Sequence, residues 1–166
     1  MKVRLNTSMG DILLQLEPEK APLTVENFKN YVTSGHYDGT IFHRVIEDFM
    51  IQGGGLDENM QAKPTKAPVR NEADNGLKNV TGSISMARTN DPHSATAQFF
   101  INTIDNIGLD FRYESEDGWG YCVFGTVIEG METVEKIEGT ATTSHKGYQD
   151  VPVETIVISK AEIVEE

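Results

Sequence analysis

The chain has 166 residues, 38% of them apolar and 24% charged, which fits a soluble globular domain with a substantial core. Its 26 acidic and 14 basic residues give a formal net charge of -12, which argues against phosphate-backbone binding, since that needs clustered cations. The single cysteine, Cys122, excludes an intrachain disulfide and fits a reducing compartment.

The opening "MKVRLNTSMGD" has no apolar segment of the secretory kind, and no apolar run approaches a membrane span. A cytoplasmic location is expected. "VRL" and "ILLQL" read as two strands, the second with Ile12, Leu14 and Leu16 on one face. Gly10 supplies the turn between them. The spacing of Val25, Phe28 and Val32 predicts a helix over residues 22–34, with Pro22 in its first turn and Gly35 as its stop. Residues 41–52 hold two strands. Residues 53–80 are rich in Gly, Pro, Asn and Lys and form a long loop, a feature that is usually functional inside a compact domain.

"GSISMA", "AQFFINT", "YCVFGTVI" and "TIVISKAEI" complete the strands, and "GMETVEKIEG" gives a second, short helix through Met131, Val134 and Ile137. The count is eight strands and two helices, without βαβ alternation. An antiparallel all-β sheet, closed or nearly closed and covered at its ends by helices, is expected. No repeat, low-complexity tract or linker interrupts the chain, so residues 1–166 read as one domain.

The four histidines, His36, His43, His93 and His145, have no second His or Cys at metal-ligand spacing, so no metal is expected. "DPHS" (91–94) holds the residue types of a hydrolytic triad, but neighbours on one loop cannot orient one another as a triad requires. Turn chemistry is the better reading. "GGG" at 53–55 lacks phosphate-loop spacing, and Cys122 sits in an apolar strand as an inert thiol. What remains is a set of polar residues inside apolar strands. Met50 and Gln52 share a face, as do Gln98 and Phe100. A face that carries Gln, Phe, Met and Arg instead of Lys, Glu and Thr points to binding.

"FHRVIEDFMIQGG", "GSISMAR" and "SATAQFFI", in this order and spacing, resemble the signature blocks of the cyclophilins, and the similarity runs from residue 3 to 163. "NEADNGLKN", "HSATAQFFIN" and "GWGYCVFG" are similar to the bacterial cytoplasmic B type of that family. The resemblance implies a closed eight-stranded antiparallel β-barrel capped by two α-helices, and peptidyl-prolyl cis-trans isomerase activity without a cofactor. It implies that Arg44 is catalytic with Gln52 beside it, and that Phe49, Met50, Phe100 and Leu109 form a proline pocket. Gln98 matches a polar neighbour of the substrate backbone, Ala87 and Arg88 a segment that pairs with it, and Tyr121 a position that is histidine in many eukaryotic members. Arg88 replaces an asparagine common in those members. Tyrosine at 121 brings no group that titrates near neutrality. Gly108 stands where cyclosporin-sensitive members have tryptophan, and Trp119, in "GWGY", does not replace it. Weakened cyclosporin binding is therefore expected.

The implied partners are proline-containing peptides and flexible protein segments, with no nucleic acid and no membrane. A monomer is expected. The alternative is a proline-peptide binding module or chaperone without catalysis, which would have little use for Arg44. The functional reading also makes a geometric demand. A two-residue turn at Glu47–Asp48 would pair Arg44 with Ile51 and turn it away from Gln52. The connection must therefore hold an odd number of residues or a bulge, and extend through Phe49.

Overall fold

The apolar alternation at the N-terminus forms a hairpin, β1 (Lys2–Thr7) and β2 (Gly10–Leu16). Gly10 takes the positive φ that the turn demands, and Ile12, Leu14 and Leu16 point into the core. Helix α1 (Pro22–Thr33) follows, with Pro22 in its first turn and Val25, Phe28 and Val32 buried. Its own flank supplies no side-chain cap. The cap comes from the long loop instead: the buried Glu72 carboxylate accepts from the Thr24 backbone N–H at 2.7 Å and from its hydroxyl at 2.8 Å. A carboxylate at this end satisfies orphan donors and suits the helix dipole. The contact pins loop 53–80 to the barrel.

The computed structural model describes all of residues 1–166. The remaining elements are β3 (Thr40–Ile41), β4 (Arg44–Ile46), β5 (Met50–Gly53), β6 (Ser83–Met86), β7 (Phe99–Asn102), β8 (Val123–Glu129), α2 (Met131–Glu138), β9 (Thr142–His145), β10 (Tyr148–Pro152) and β11 (Val157–Glu165). Two short 3₁₀ turns lie at Ala73–Asn75 and Ile107–Leu109.

Nine strands form one antiparallel sheet in the order β3-β11-β1-β2-β8-β6-β7-β5-β4. Its two edge strands, β3 and β4, are separated in the chain by Phe42 and His43 alone. The sheet must therefore curl until its edges meet, and the chain itself closes the barrel there. Eight strands are expected from the sequence; the ninth arises because Phe42 and His43 detach a two-residue strand from the front of β4. The sequence reading also lacks the separate hairpin β9–β10, which packs beside β4.

Twenty-eight buried residues fill the barrel in one cluster. Phe28 of α1 anchors it, with its ring 5.1 Å from those of Tyr37 and Phe124 and edge-on to Phe99 at 5.8 Å. Such aromatic geometry adds to the gain from area burial. Helix α2 seats Val134 and Ile137, both fully buried, against β2, β4 and β5.

Candidate active site

Register decides which side chains meet. Arg44 pairs directly with Gln52, Gln52 with Phe100, and Phe100 with Ser85. Directly paired residues share a face, so Arg44, Gln52, Phe100 and Ser85 form one row across β4, β5, β7 and β6. The alternate residues Ile51, Phe99 and Ile101 join the barrel core, whereas the buried Met50 and Phe100 lie on the opposite face.

The pairing requires a three-residue connection, Glu47–Asp48–Phe49, between Ile46 and Met50. That is the odd count which the sequence reading demands. Asp48 takes the left-handed conformation at φ 59°, which Asp tolerates better than most residues. Its backbone N–H donates to Glu138 of α2 at 2.9 Å. Phe49, carried by this turn, swings over the sheet face.

Arg44, Phe49, Met50, Gln52, Ala87, Arg88, Phe100, Leu109 and Tyr121 line one open cavity of about 220 Å³. Met50 and Phe100 form its floor, and Arg44 is exposed at its rim. Arg44 Nη1 donates to Gln52 Oε1 at 3.2 Å, and Gln52 Nε2 donates to Gln98 Oε1 at 3.0 Å. Gln98 thus touches the site through Gln52 without lining the cavity. The Tyr121 ring stands edge-on to Phe100 at 5.6 Å and carries the Arg88 guanidinium 4.6 Å from its centroid.

The glycines at the end of β5 and just beyond it leave room for neighbours. A Cβ at Gly53 would meet the Ile41 carbonyl oxygen at 2.6 Å, and one at Gly55 would meet the Gln98 side chain at 2.5 Å. Gly55 is what lets Gln98 lie where Gln52 can reach it.

An asparagine network absent from the sequence reading holds the cavity's backbone. Asn106 Nδ2 donates to the Phe49 carbonyl at 2.9 Å and to Asn102 Oδ1 at 2.8 Å. Asn102 Nδ2 donates to Asn79 Oδ1 at 3.0 Å, and Asn79 Nδ2 to the carbonyls of Leu109 at 3.1 Å and Tyr121 at 3.3 Å. Three lining residues are thereby tied to one buried hub. The available signal was the asparagine in "FFIN": a polar side chain in a core strand needs partners.

The rejected candidates stay apart from this cavity. Ser94 Oγ donates to the Asp91 carbonyl and accepts from Thr89, while His93 Nδ1 accepts from the Asn71 N–H. Burial pushes the Cys122 thiol up to about 11. No group of three or more His, Cys, Asp or Glu is placed to hold a metal. Trp119 is buried against His93 and Phe111, away from the cavity. Gly108 is exposed, with nothing within 4 Å of where its Cβ would stand. Beside Arg44, burial and the adjacent guanidinium hold the His43 imidazole down at about 4, and its Nδ1 has no partner.

An arginine on the rim of an apolar cavity, on a curled antiparallel barrel, defines a protein that can grip an apolar ring while donating hydrogen bonds beside it. Residues 2–163 match the family of cyclophilin type peptidyl-prolyl cis-trans isomerases. The chain is 60% identical to peptidyl-prolyl cis-trans isomerase cyp18 of Streptomyces antibioticus, over 98% of both chains. It is 53% identical to peptidyl-prolyl cis-trans isomerase B of Escherichia coli, over 98% of this chain and 99% of that one. It superposes on a Cryptosporidium parvum cyclophilin, crystallised in the presence of the dipeptide Ala-Pro, with a TM-score of 0.80, 29% identity and full coverage of both chains. The chain belongs to the cyclophilin-type peptidyl-prolyl cis-trans isomerases, and its activity is rotation about X–Pro peptide bonds.

Proposed function

We propose that this cavity is the active site, with Arg44 the catalytic residue and Gln52 its positioning partner. The barrier to amide rotation is about 18–20 kcal/mol because conjugation stiffens the C–N bond. Twisting the bond removes that conjugation and returns a lone pair to the proline nitrogen. A donor aimed at this nitrogen binds the twisted state more tightly than either planar one, and that difference is catalysis. Arginine suits the task, being always charged and carrying several donors in a fixed plane. Arg44 spends one of them on Gln52 and keeps the rest for the substrate.

Phe49, Met50, Phe100 and Leu109 hold the proline ring, while the preceding carbonyl turns in the open part of the cavity. Ala87 and Arg88 run beside the peptide backbone, Gln98 steadies Gln52, and Tyr121 completes the wall. The carrying observation is the Arg44–Gln52 pair at the rim of an apolar cavity. The test is isomerisation of an Ala-Pro peptide by Arg44→Ala. A loss of about 10²–10³ in kcat/KM is expected, the scale of one transition-state donor. Full activity in the folded variant overturns the assignment.

The physiological partners are proline-containing peptides and unfolded or flexible protein segments, so the protein assists folding. The single large core supports reading residues 1–166 as one domain. No helix is long and apolar enough to cross a membrane, and with one buried free thiol the chain suits the cytoplasm as a monomer. Cyclosporin binding is weak, because the open space at Gly108 removes a wall from its site.

A further inference from the structure

Arg88 is held unusually firmly for a surface arginine. Its Nε donates to the Gly120 carbonyl at 3.0 Å, its Nη1 to the Thr89 carbonyl at 2.8 Å, and its plane rests on Tyr121. These bonds use two of its five N–H groups and leave three. The only ion pairs in the structure are Lys2–Glu165, Lys29–Glu166 and Lys160–Glu162. Neither Arg88 nor Arg44 has a carboxylate oxygen within 4.0 Å.

The cavity that takes the proline is thus rimmed by two unpaired guanidiniums and contains no acidic residue, in a chain of net charge -12. Acidic side chains do occur nearby. Asp110, Glu116 and Asp117 line an adjoining polar cavity together with Arg112, and Arg88 and Tyr121 form the wall between the two. Asp110 is occupied by the Asn79 backbone and side-chain N–H groups, and Asp117 by Ser115. None of the three has a carboxylate oxygen within 4.0 Å of Arg88.

We propose that Arg88 is a specificity-determining residue, which with Arg44 selects substrates carrying an acidic residue immediately before the proline. The inference rests on the placement of the active site above. With the proline ring on Met50 and Phe100 and its imide bond beside Arg44, the preceding residue leaves the cavity at the rim shared by the two arginines. A carboxylate there finds donors already held in place, so little side-chain freedom is lost on pairing. An ammonium there meets two like charges. Asp110, Glu116 and Asp117 lie on the far side of Arg88 and Tyr121, and with the chain's other negative charges they are screened over about 8–10 Å.

The experiment compares kcat/KM on X–Pro peptides with X as Glu, Gln, Lys or Ala, at low and high salt. Glu over Lys is expected to be favoured about tenfold, the product of one partly exposed attraction and one repulsion, with Gln between them. The ratio should shrink at high salt, fall to about threefold in Arg88→Gln, where Arg44 alone remains, and be largely kept in Arg88→Lys. Because the readout is a ratio, a general loss of rate in the variant cancels. Equal rates on all four peptides in the wild type overturn the inference and leave the active-site assignment standing. So does a Glu preference that Arg88→Gln leaves undiminished. Full activity of Arg44→Ala on the Ala peptide overturns the active-site assignment itself.

Discussion

Arg44 and Gln52 face each other across β4 and β5, and the guanidinium donates to a carboxamide whose own N–H₂ is committed to Gln98. The chain of two bonds fixes which end of Gln52 points at Arg44. Gln52→Leu removes both bonds while the strands keep their register. A drop of about tenfold in kcat/KM is expected, the scale of one positioning hydrogen bond. In an Arg44→Ala background the same change should cost less than about twofold, because coupled residues do not act additively. Equal losses in both backgrounds mean that Gln52 acts independently of Arg44.

Asn102 is fully buried and links Asn79, Ser83 and Asn106. Asn102→Leu keeps the branching and heavy-atom count and strands the network's hydrogen-bonding groups, at a cost of about 1–3 kcal/mol. Urea unfolding should show this as a lower midpoint with an unchanged slope. Since Asn106 also holds the Phe49 carbonyl, KM for an Ala-Pro peptide should rise in the folded variant. A variant with wild-type midpoint and KM shows that the network is dispensable.

His43 gives the stability a pH dependence with a definite sign. The buried ring holds its proton only below about 4, whereas in the unfolded chain it takes one up near 6.5. Between those values the unfolded state binds more protons, so stability is lost as pH falls from about 6.5 towards 4, by on the order of 3 kcal/mol. Below that window both states are protonated and the loss stops. His43→Phe keeps an aromatic ring against Tyr148, which His43 meets edge-on at 5.9 Å. The variant should flatten this part of the curve. An unchanged difference in urea stability between pH 7 and pH 4.5 assigns the acid sensitivity to other groups.

Gly108 has ordinary backbone geometry and open space above it, so Gly108→Trp should fold normally. The indole would add both a wall and a donor beside Leu109. Cyclosporin affinity, measured by calorimetry, is expected to rise about tenfold or more, equivalent to about 1.4 kcal/mol. No gain overturns the reading that Gly108 limits cyclosporin binding.

The two strands flanking Glu47–Asp48–Phe49 were legible because their residue types only make sense on one face, and that requirement forced the odd connection. The barrel was legible through alternation at Ile12, Leu14 and Leu16. The hairpin β9–β10 was not. Thr142–His145 is exposed throughout, and β10 buries only Val151 and Pro152, so no period exists to read. Its turn does carry a local sign: Lys146 and Gly147 both have positive φ between the paired His145 and Tyr148, as a two-residue hairpin loop requires. Glu72 and the asparagine hub were hidden for another reason. Their partners lie between 4 and 57 residues away, and such pairings appear only once the sheet has curled.

The barrel seam at Phe42 and His43 also says how far along the chain the closing contacts must reach. Among the named strands β3 pairs with β11 alone, through Thr40–Ile158 and Ile41–Val157. β1 pairs with β11 as well. The short strand just ahead of Arg44 is therefore held by a strand that follows nearly all the rest of the barrel in the chain. Contacts spanning nearly the whole sequence are also the slow ones to form. A catalyst of other proteins' folding thus carries in its own barrel the kind of long-range closure that is slowest to form.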